Sequence, residues 1–271
     1  MPVIEPFVRW AGGKSWLVPH LTQLISAIDI NHFHEPFLGG AAIFLALEHK
    51  KKSYLSDIND DLINAYIQIR DNPNQVIKIL FAYQNTEDEY YRIRGLCFDD
   101  PIERAARFIF LNQTSYNGLY RVNRSGGYNV PYGFRESWHY DDKRVLQVSA
   151  RLKKANIQCG DFEINKYKIK RHDLVFLDPP YTVSHNENGF IEYNKNLFSL
   201  DDQKRLCKFI EYIKRKDAYY ILTNAAHPKI REIFGQEDQP IELMRHSLIG
   251  GKNSERKKIT EYIFTNITEE R

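Results

Sequence analysis

The chain has 271 residues, of which 42% are hydrophobic and 27% are charged, and its formal net charge is +3. These values predict a globular protein with one sizeable domain and an inserted subdomain, and they exclude a disordered or low-complexity chain. The net charge is too small to indicate nucleic-acid binding by the whole surface. Locally, four basic runs would contact phosphates if they shared one face, although each alone is better explained as solvated charge: Lys50–Lys52, Arg121–Arg124, Lys166–Arg171 and Arg256–Lys258.

The cysteines and the hydropathy pattern indicate the compartment. Cys97, Cys159 and Cys207 are widely spaced and odd in number, so they give neither a disulfide framework nor a zinc pattern. No stretch approaches ~20 consecutive apolar residues, and the N-terminus lacks the apolar run of a signal peptide. We therefore expect a cytoplasmic protein in a reducing environment with no membrane partner.

Strand and helix patterns alternate at the start of the chain. Apolar residues at helical spacing predict a helix over 14–28, and a short strand is predicted over His32–Phe37. A pair of glycines then interrupts the pattern before a second predicted helix over 41–50. Tyr54–Leu55 predicts another short strand that ends at Asp57. This order of elements is typical of α/β proteins.

The segment from about Asn59 to Ala150 has a different character. Helices are predicted over 60–72, 73–84 and 100–113. An aromatic, glycine-rich stretch over 115–133 follows, and its alternation around the turn RSGG predicts a β-hairpin. These features indicate a mostly helical insertion that carries a hairpin.

After Arg151 the α/β pattern returns. Strands are predicted to end near residue 162 and near 177, and further strands are predicted over 218–224 and 258–266, with an amphipathic helix over 201–216. Strands that alternate with helices on both sides of an insertion predict a doubly wound, Rossmann-like α/β sheet. We predict that residues 1–58 and 151–271 form this catalytic domain and that 59–150 form the insertion.

The most informative segment is Asp178-Pro179-Pro180-Tyr181, directly after an apolar strand. Open α/β sheets bind their ligands at the carboxyl ends of strands. Two successive prolines give a stiff turn without N–H donors, so the Asp178 carboxylate and the Pro179 carbonyl can offer two acceptors beside an aromatic face. A flat base with an exocyclic amine needs such a pocket. The alternative for this tetrapeptide alone is an ordinary proline-rich turn.

A second candidate site is the glycine turn in EPFLGGAA, over residues 35–42. Gly39 would let the backbone approach a ligand, although a plain tight turn is an equally good explanation. Asp57 follows about 20 residues later at a predicted strand end, a spacing that suits an acceptor for ribose hydroxyls of an adenosine-containing cofactor. Asp161 and Phe162, at another strand end, are placed to read the adenine ring of the same cofactor.

Two other motifs fail on their spacing. Gly13-Lys14-Ser15 resembles the end of a phosphate-binding loop, but Val8 stands where the first glycine is required. The run over 57–62 resembles the start of a calcium loop, but Leu62 and Gln68 replace its glycine and its closing glutamate. No metal site is predicted.

Five motifs together resemble the Dam family of DNA adenine methyltransferases. They are FVRWAGGK (7–14), EPFLGGAAIF (35–44), the Asp57 segment, the hairpin stretch over 115–133 and DPPY (178–181), in this order. The resemblance covers nearly the whole chain, including the tail from His246. It implies the Rossmann-like fold of S-adenosylmethionine-dependent methyltransferases, with an inserted target-recognition domain. The implied reaction is methyl transfer to N6 of a flipped-out adenine in double-stranded DNA, within GATC.

The resemblance also implies roles for individual residues. The catalytic set would be Asp178, Pro179 and Tyr181. Residues around S-adenosylmethionine, and its product S-adenosylhomocysteine, would be Trp10, Lys14, Phe37, Gly39, Asp57, Asp161, Phe162 and Asp178. Tyr116 and Asn117 would wedge into the opened duplex, and the remaining DNA-binding residues would be Leu119, Arg121, Asn123 and Pro131. This chain has Ala41 where the family often has a third glycine.

The family implies a monomer in the cytoplasm of a bacterium or phage-infected cell, associated with the nucleoid, with roles in replication or beside a companion restriction endonuclease. Two alternatives stay open. One is methylation of another amine, either N4 of cytosine or an amine of an RNA base. The other is a nucleic-acid-binding module that keeps the fold without catalysis, and a cofactor titration would discriminate it.

Overall fold

A computed structural model describes residues 4–47, 51–123, 125–134, 141–181, 198–236, 238–246 and 258–268, without the side chains of His246 and Lys258. Lys50, Arg124, most of the run Arg256–Lys258 and residues 247–257 of the tail from His246 therefore lie outside the described residues. Among the residues that are described, no helix is both long and apolar enough to cross a bilayer.

Within these described residues, seven strands form one mixed sheet in the order β3-β2-β1-β4-β5-β7-β6. The predicted α/β class is confirmed. The strands are β1 (Phe33–Glu35), β2 (Ser53–Asp57), β3 (Ala155–Cys159), β4 (Leu174–Leu177), β5 (Tyr219–Ala225), β6 (Ile241–His246) and β7 (Lys258–Thr265). The α-helices are α1 (Val18–Ile25), α2 (Ala42–Ala46), α3 (Asp60–Asp71), α4 (Pro73–Ala82), α5 (Glu87–Gly95), α6 (Pro101–Thr114), α7 (Asp142–Leu152), α8 (Leu200–Arg215) and α9 (Pro228–Phe234).

The chain packs into two compact units, and the first comprises Met1–Val18 and Leu38–Asp161. In it β2 and β3 pair in parallel over their full lengths. Helices α3 to α6 pack around large buried side chains, among them Tyr66, Tyr90 and Phe110. Asp100 caps α6 by accepting hydrogen bonds from two backbone N–H groups of its first turn. The functional division with an insertion over 59–150 stays a prediction.

The predicted hairpin is present in this unit as antiparallel pairing without regular strands. Ser115 pairs with Tyr132, and Val122 pairs with Tyr128. The Asn123 side-chain oxygen closes the turn because it accepts hydrogen bonds from the Ser125 hydroxyl and from two backbone N–H groups.

The second unit comprises Pro19–Phe37 and Phe162–Arg271. Strands β1, β4 and β5 are parallel, whereas β7 pairs antiparallel with both β5 and β6. Every residue of β4 is buried, which accounts for its uninterrupted apolar sequence. Ser199 and Asp202 form a capping box at the start of α8. The buried strand β4 therefore leads directly into the turn that begins at Asp178.

A polar cluster is buried at the other end of β4. Asp173 is fully buried, and its carboxylate accepts hydrogen bonds from the backbone N–H groups of His32 and Lys170 at 3.0 and 2.9 Å. The rings of His32 and His34 approach the same carboxylate at 3.1 and 2.9 Å. Each oxygen is thus paired, as a buried charge requires. This cluster ties the start of β1 to the start of β4.

Candidate active site

Asp178 begins the turn after β4 and is held by the neighbouring strand. The Thr223 hydroxyl of β5 donates a hydrogen bond to Asp178 Oδ1 over 2.7 Å. Thr223 is fully buried and Asp178 is half-buried. Because the hydroxyl comes from a rigid central strand, the carboxylate has a defined orientation while part of it stays accessible to a ligand.

Pro179 and Pro180 follow Asp178, the first buried and the second half-buried. Neither has a backbone N–H, so this turn presents carbonyl oxygens without competing donors. A proline also restricts the backbone of the residue before it. The prediction of a stiff, acceptor-rich turn at the end of β4 is consistent with this local structure.

Tyr181 closes the turn and is anchored at its hydroxyl. The hydroxyl donates a hydrogen bond of 2.7 Å to Glu261 Oε2, in β7. Arg245 of β6 donates from Nε to the other oxygen of the same carboxylate. Burial raises the pKa of Tyr181 well above its ordinary value, and the negative charges of Asp178 and Glu261 raise it further. Tyr181 therefore stays a neutral phenol that donates through the neutral pH range.

Two of the predicted cofactor residues lie in an aromatic cluster of the second unit. The Phe37 and Phe162 rings stack with their centroids 5.4 Å apart, and Phe198 meets Phe37 edge-on at 5.7 Å. Phe162 is buried and the Arg205 guanidinium lies over its ring. Phe37 is half-buried. Phe162 is thus a core residue here, and Phe37 has the more accessible ring.

Asp57 ends β2 in the first unit and braces the glycine turn. Its Oδ2 accepts a hydrogen bond from Gly39 N, and its Oδ1 accepts one from Asn59 N, both at 3.0 Å. Burial raises the pKa of Asp57, and the backbone N–H donors oppose that rise. Each carboxylate oxygen has two lone pairs. Asp57 can therefore hold the turn and still accept hydrogen bonds from ligand hydroxyls.

Trp10 packs directly on the glycine turn. A Cβ added at Gly39 would lie 2.7 Å from Trp10 Cδ1, and one at Gly40 would lie 3.1 Å from Trp10 Cβ. Gly39 also has a φ of 45°, in the left-handed region. Ala41, at the position of the family's third glycine, has a φ of 54° as well. Ala41 thus adopts a left-handed conformation that a glycine would adopt with less strain.

Replacing Gly39 with alanine is expected to lower the free energy of unfolding by about 2 kcal/mol or more. The left-handed backbone conformation disfavours a side chain, and the methyl group would overlap the Trp10 ring. Chemical denaturation measures the change. The matched control is Gly95→Ala, because an added Cβ there meets nothing within 4 Å. Equal stabilities of the two variants would contradict the close packing on Trp10.

Other residues near this turn contribute a buried cation and an exposed apolar side chain. Lys14 is only 4% exposed, and its Nζ donates to the Gly12 carbonyl at 3.0 Å. Ile58, directly after Asp57, is 77% exposed. Asp161 is exposed just beyond β3. A large apolar side chain beside a half-buried carboxylate is suited to a ligand with a flat ring and hydroxyl groups.

The hairpin and Trp10 are also in contact. The Trp10 and Tyr120 rings stack with their centroids 5.7 Å apart. The segment before Trp10 is clamped by Asn112, whose side chain accepts from Arg9 N at 2.7 Å and donates to Arg9 O at 2.8 Å. Asn112 is fully buried in α6. This clamp fixes the backbone from which the Trp10 side chain projects.

The predicted DNA-binding side chains lie mostly on the surface of the hairpin. Tyr116 is 54% exposed, and the neighbouring Asn117 has a φ of 54°. The Arg121 guanidinium donates to the Asn129 carbonyl from Nε and Nη2, at 2.9 and 2.6 Å. Leu119 is half-buried, and Asn123 and Pro131 are exposed.

Comparison with known proteins decides the family. The family model for D12 class N6 adenine-specific DNA methyltransferases matches residues 10–245. The chain belongs to this family. The resemblance to the Dam family is confirmed, since proteins named DNA adenine methylase are among the chain's relatives.

Named relatives of this D12 class chain cover nearly its whole length. The Type II methyltransferase M1.LlaDCHI of Lactococcus lactis is 36% identical, over 97% of this chain and 95% of that protein. The Type II methyltransferase M.MjaIII of Methanocaldococcus jannaschii is 35% identical, over 82% and 84%. The DNA adenine methylase of Haemophilus influenzae is 29% identical, over 96% and 92%.

Sequence reasoning missed several residues that shape the site of this D12 class enzyme. Thr223 and Glu261 lie far along the chain from the DPPY segment, and Asn112 is buried within an ordinary amphipathic helix. One signal was available for Glu261, which is a charged residue beside the apolar run YIF in a strand. Ile58 could have been noticed as an apolar residue directly after Asp57.

Proposed function

We propose that this chain transfers a methyl group from S-adenosylmethionine to N6 of an adenine flipped out of double-stranded DNA. The observation that carries the proposal is the turn after β4, where a half-buried Asp178 is oriented by Thr223 and followed by two prolines and an anchored tyrosine. An amino group on a flat ring is the ligand that two oxygen acceptors and an aromatic face suit best. The family gives the reaction class.

The glycine turn and Asp57 have the chemistry to hold S-adenosylmethionine. Gly39 lacks a side chain, which lets the Trp10 ring pack directly against the backbone of the turn. Asp57 would accept hydrogen bonds from ribose hydroxyls, and the exposed Ile58 side chain would pack on the adenine ring. When bound, the cofactor supplies an electrophilic methyl group on a sulfonium, which is already a good leaving group.

Asp178 and the Pro179 carbonyl would then act on the adenine amine. The N6 lone pair is delocalised into the purine ring, so the amine is a weak nucleophile. Hydrogen bonds from its two protons to the Asp178 carboxylate and the Pro179 oxygen would favour localisation of the lone pair and fix its direction. Asp178 would also stabilise the positive charge that N6 acquires on attack, and the surplus N6 proton would then pass to solvent.

Tyr181 would provide the stacking surface for the extruded base. The target amine cannot be reached inside a duplex, so the base has to leave the helix. An aromatic face offsets part of the lost base stacking, by about 1–3 kcal/mol per base. Tyr116, exposed on the hairpin, would fill the space that the base leaves.

We further propose GATC as the target, read by the hairpin, with Leu119, Arg121, Asn123 and Pro131 at the DNA. Arg121→Ala is expected to relax discrimination at one guanine by about 1–3 kcal/mol, because a guanidinium fork matches the guanine edge. Methylation rates on duplexes with single-base changes in the site measure the effect. Arg121→Lys is the matched control, since it keeps the charge without the fork. Unchanged sequence preference in the alanine variant would contradict this role.

The chemical identity of the product tests the proposal most directly. Duplex DNA methylated by the wild-type chain is digested to nucleosides and analysed by mass spectrometry. N6-methyl-2′-deoxyadenosine is expected, whereas N4-methyl-2′-deoxycytidine, or methylation of RNA alone, would overturn the assignment. A titration with S-adenosylmethionine separates a catalyst from a module that only binds DNA. Resistance of the treated DNA to a methylation-sensitive nuclease at GATC tests the proposed target sequence.

A further inference from the structure

We propose that Glu261 is a positioning residue for methyl transfer, acting through the Tyr181 hydroxyl on the aromatic face that receives the target base. The proposal rests on the proposed function. It assigns a task in that reaction to a residue that would touch neither the base nor the cofactor. It concerns three side chains of the second unit: Tyr181, Glu261 and Arg245.

Glu261 lies where a charged side chain is costly. It is 0% exposed in β7, with Ala225 of β5 and Leu243 of β6 as its register partners. Both of its carboxylate oxygens are used, one by the Tyr181 hydroxyl at 2.7 Å and the other by Arg245 Nε. A buried ion pair of this kind is often no more stabilising than apolar residues of similar volume. Its presence beside the DPPY turn therefore points to a task other than stability.

The hydrogen bond fixes the Tyr181 ring by its far end. Two prolines precede Tyr181, so the turn itself has few backbone donors with which to hold the ring. The anchor instead comes from Glu261, in a strand paired on both sides along its length. A ring tied to the sheet at its hydroxyl keeps one orientation before the substrate arrives, which lowers the cost of ordering it during the reaction.

The same hydrogen bond changes the charge distribution of the ring. A phenol that donates to a carboxylate has a more electron-rich face than one that donates to water. A purine on that face gains positive charge as N6 attacks the methyl group, and cations are attracted to electron-rich ring faces. This interaction strengthens between ground state and transition state, so it should act on kcat rather than on KM.

The first experiment compares Glu261→Gln with wild type in single-turnover methylation of a duplex. The rate is expected to fall about tenfold, because an amide oxygen without the negative charge is a weaker acceptor for the Tyr181 hydroxyl. The KM for DNA should change by less than about threefold. Glu261→Asp should recover part of the rate. The matched control, Glu242→Gln, alters an exposed glutamate of β6 that pairs with Arg231, and it should leave the rate unchanged.

A double-mutant cycle with Tyr181→Phe tests whether Glu261 acts through the hydroxyl. Tyr181→Phe keeps the ring and leaves the Glu261–Arg245 pair in place, so it should lower the rate by a similar factor without unfolding the protein. In that background Glu261→Gln should cost little more. Independent, multiplicative losses, or a wild-type rate for Tyr181→Phe, would overturn the proposal.

Two outcomes separate this inference from the function on which it rests. A wild-type chain that methylates no adenine removes the proposed function and this inference with it. A wild-type chain that methylates adenine but gives multiplicative losses removes only the role of Glu261. Thermal melting of each variant checks folding. If Glu261→Gln does not fold, the rate of Tyr181→Phe alone decides, because that variant removes only the hydroxyl.

Discussion

Replacing Asp178 with alanine is expected to lower the methylation rate by about 10³-fold or more while the protein stays folded. The substitution removes the charged acceptor that would hold the adenine amine and stabilise the charge that forms on it, and contributions of this kind are about 10²–10⁴-fold. Asp178 is only half-buried at the edge of the core, so the fold should tolerate the change. Single-turnover methylation and thermal melting measure the two quantities.

Two comparison variants make the Asp178 result specific. Asp178→Asn keeps one carbonyl acceptor without the charge and should lose less activity than Asp178→Ala. Asp201→Ala removes an exposed carboxylate that pairs with Lys204 in α8, and it should leave the rate unchanged. A purified, folded Asp178→Ala protein with near wild-type activity would rule out the proposed mechanism.

Replacing Asp173 with asparagine is expected to lower the free energy of unfolding by about 3 kcal/mol at neutral pH. The carboxylate is fully buried and accepts from His32 and His34 and from a backbone N–H of Lys170. The side-chain NH2 group of asparagine would place a hydrogen-bond donor among groups that are themselves donors. Urea denaturation measures the loss. The control Asp217→Asn alters an exposed carboxylate and should change stability by less than about 0.5 kcal/mol.

The pH dependence gives this second prediction a direction. Burial opposes ionisation of Asp173, but its hydrogen bonds, above all that with His34, outweigh burial and lower its pKa below 3.8. The stability from its charge is therefore present above that value and is lost as the pH falls through the folded-state pKa. The difference in the free energy of unfolding between wild type and Asp173→Asn should shrink as the pH falls through the folded-state pKa of Asp173. A difference that stays constant down to acid unfolding would contradict this account.

His34 adds a second, separate pH dependence. Burial lowers its pKa below 6.5, and the neighbouring Asp173 opposes that shift. The unfolded chain then binds a proton on this ring at a higher pH than the folded chain does. Stability therefore falls as the pH drops below about 6.5 in wild type. The fall should be larger in Asp173→Asn, because the carboxylate charge that opposes the shift is absent there.

The sequence was most informative where a single element carries its own pattern. Strand β4 is a continuous apolar run and α8 has a clear helical period, so both were predicted close to their observed bounds. Helix α1 is shorter than the predicted 14–28, because a separate 3₁₀ turn, Ser15–Leu17, precedes it. Strand β1 likewise covers only Phe33–Glu35 of the predicted strand.

The elements that escaped prediction depend on distant partners. Helix α5 is mostly charged and buries only Tyr90 and Ile93, so its apolar period is weak. Strand β6 is an edge strand whose Ile241 and Met244 are exposed, and only its pairing with β7 identifies it. Helices α7 and α9 were also not predicted. Tertiary pairing, rather than local propensity, determines such elements.

The candidate site shows the same division. Asp57, Gly39 and Asp178 could be proposed as site residues from the sequence alone, because strand ends and glycine turns leave a local signature. The residues that hold them come from elsewhere in the chain, as Thr223 does for Asp178 at a separation of 45 residues. No local pattern reports such a partner, so the support of the site could be found only in three dimensions.

The Trp10 ring touches both the glycine turn at Gly39 and, through its stack with Tyr120, the hairpin. Asn112 holds the backbone beside it, so the ring has little freedom to follow one neighbour without the other. A change in one of these contacts should therefore affect the other, and coupling of this kind between two binding sites is reciprocal. We therefore expect that binding of a ligand at the glycine turn and binding of DNA at the hairpin change each other's affinity by the same factor.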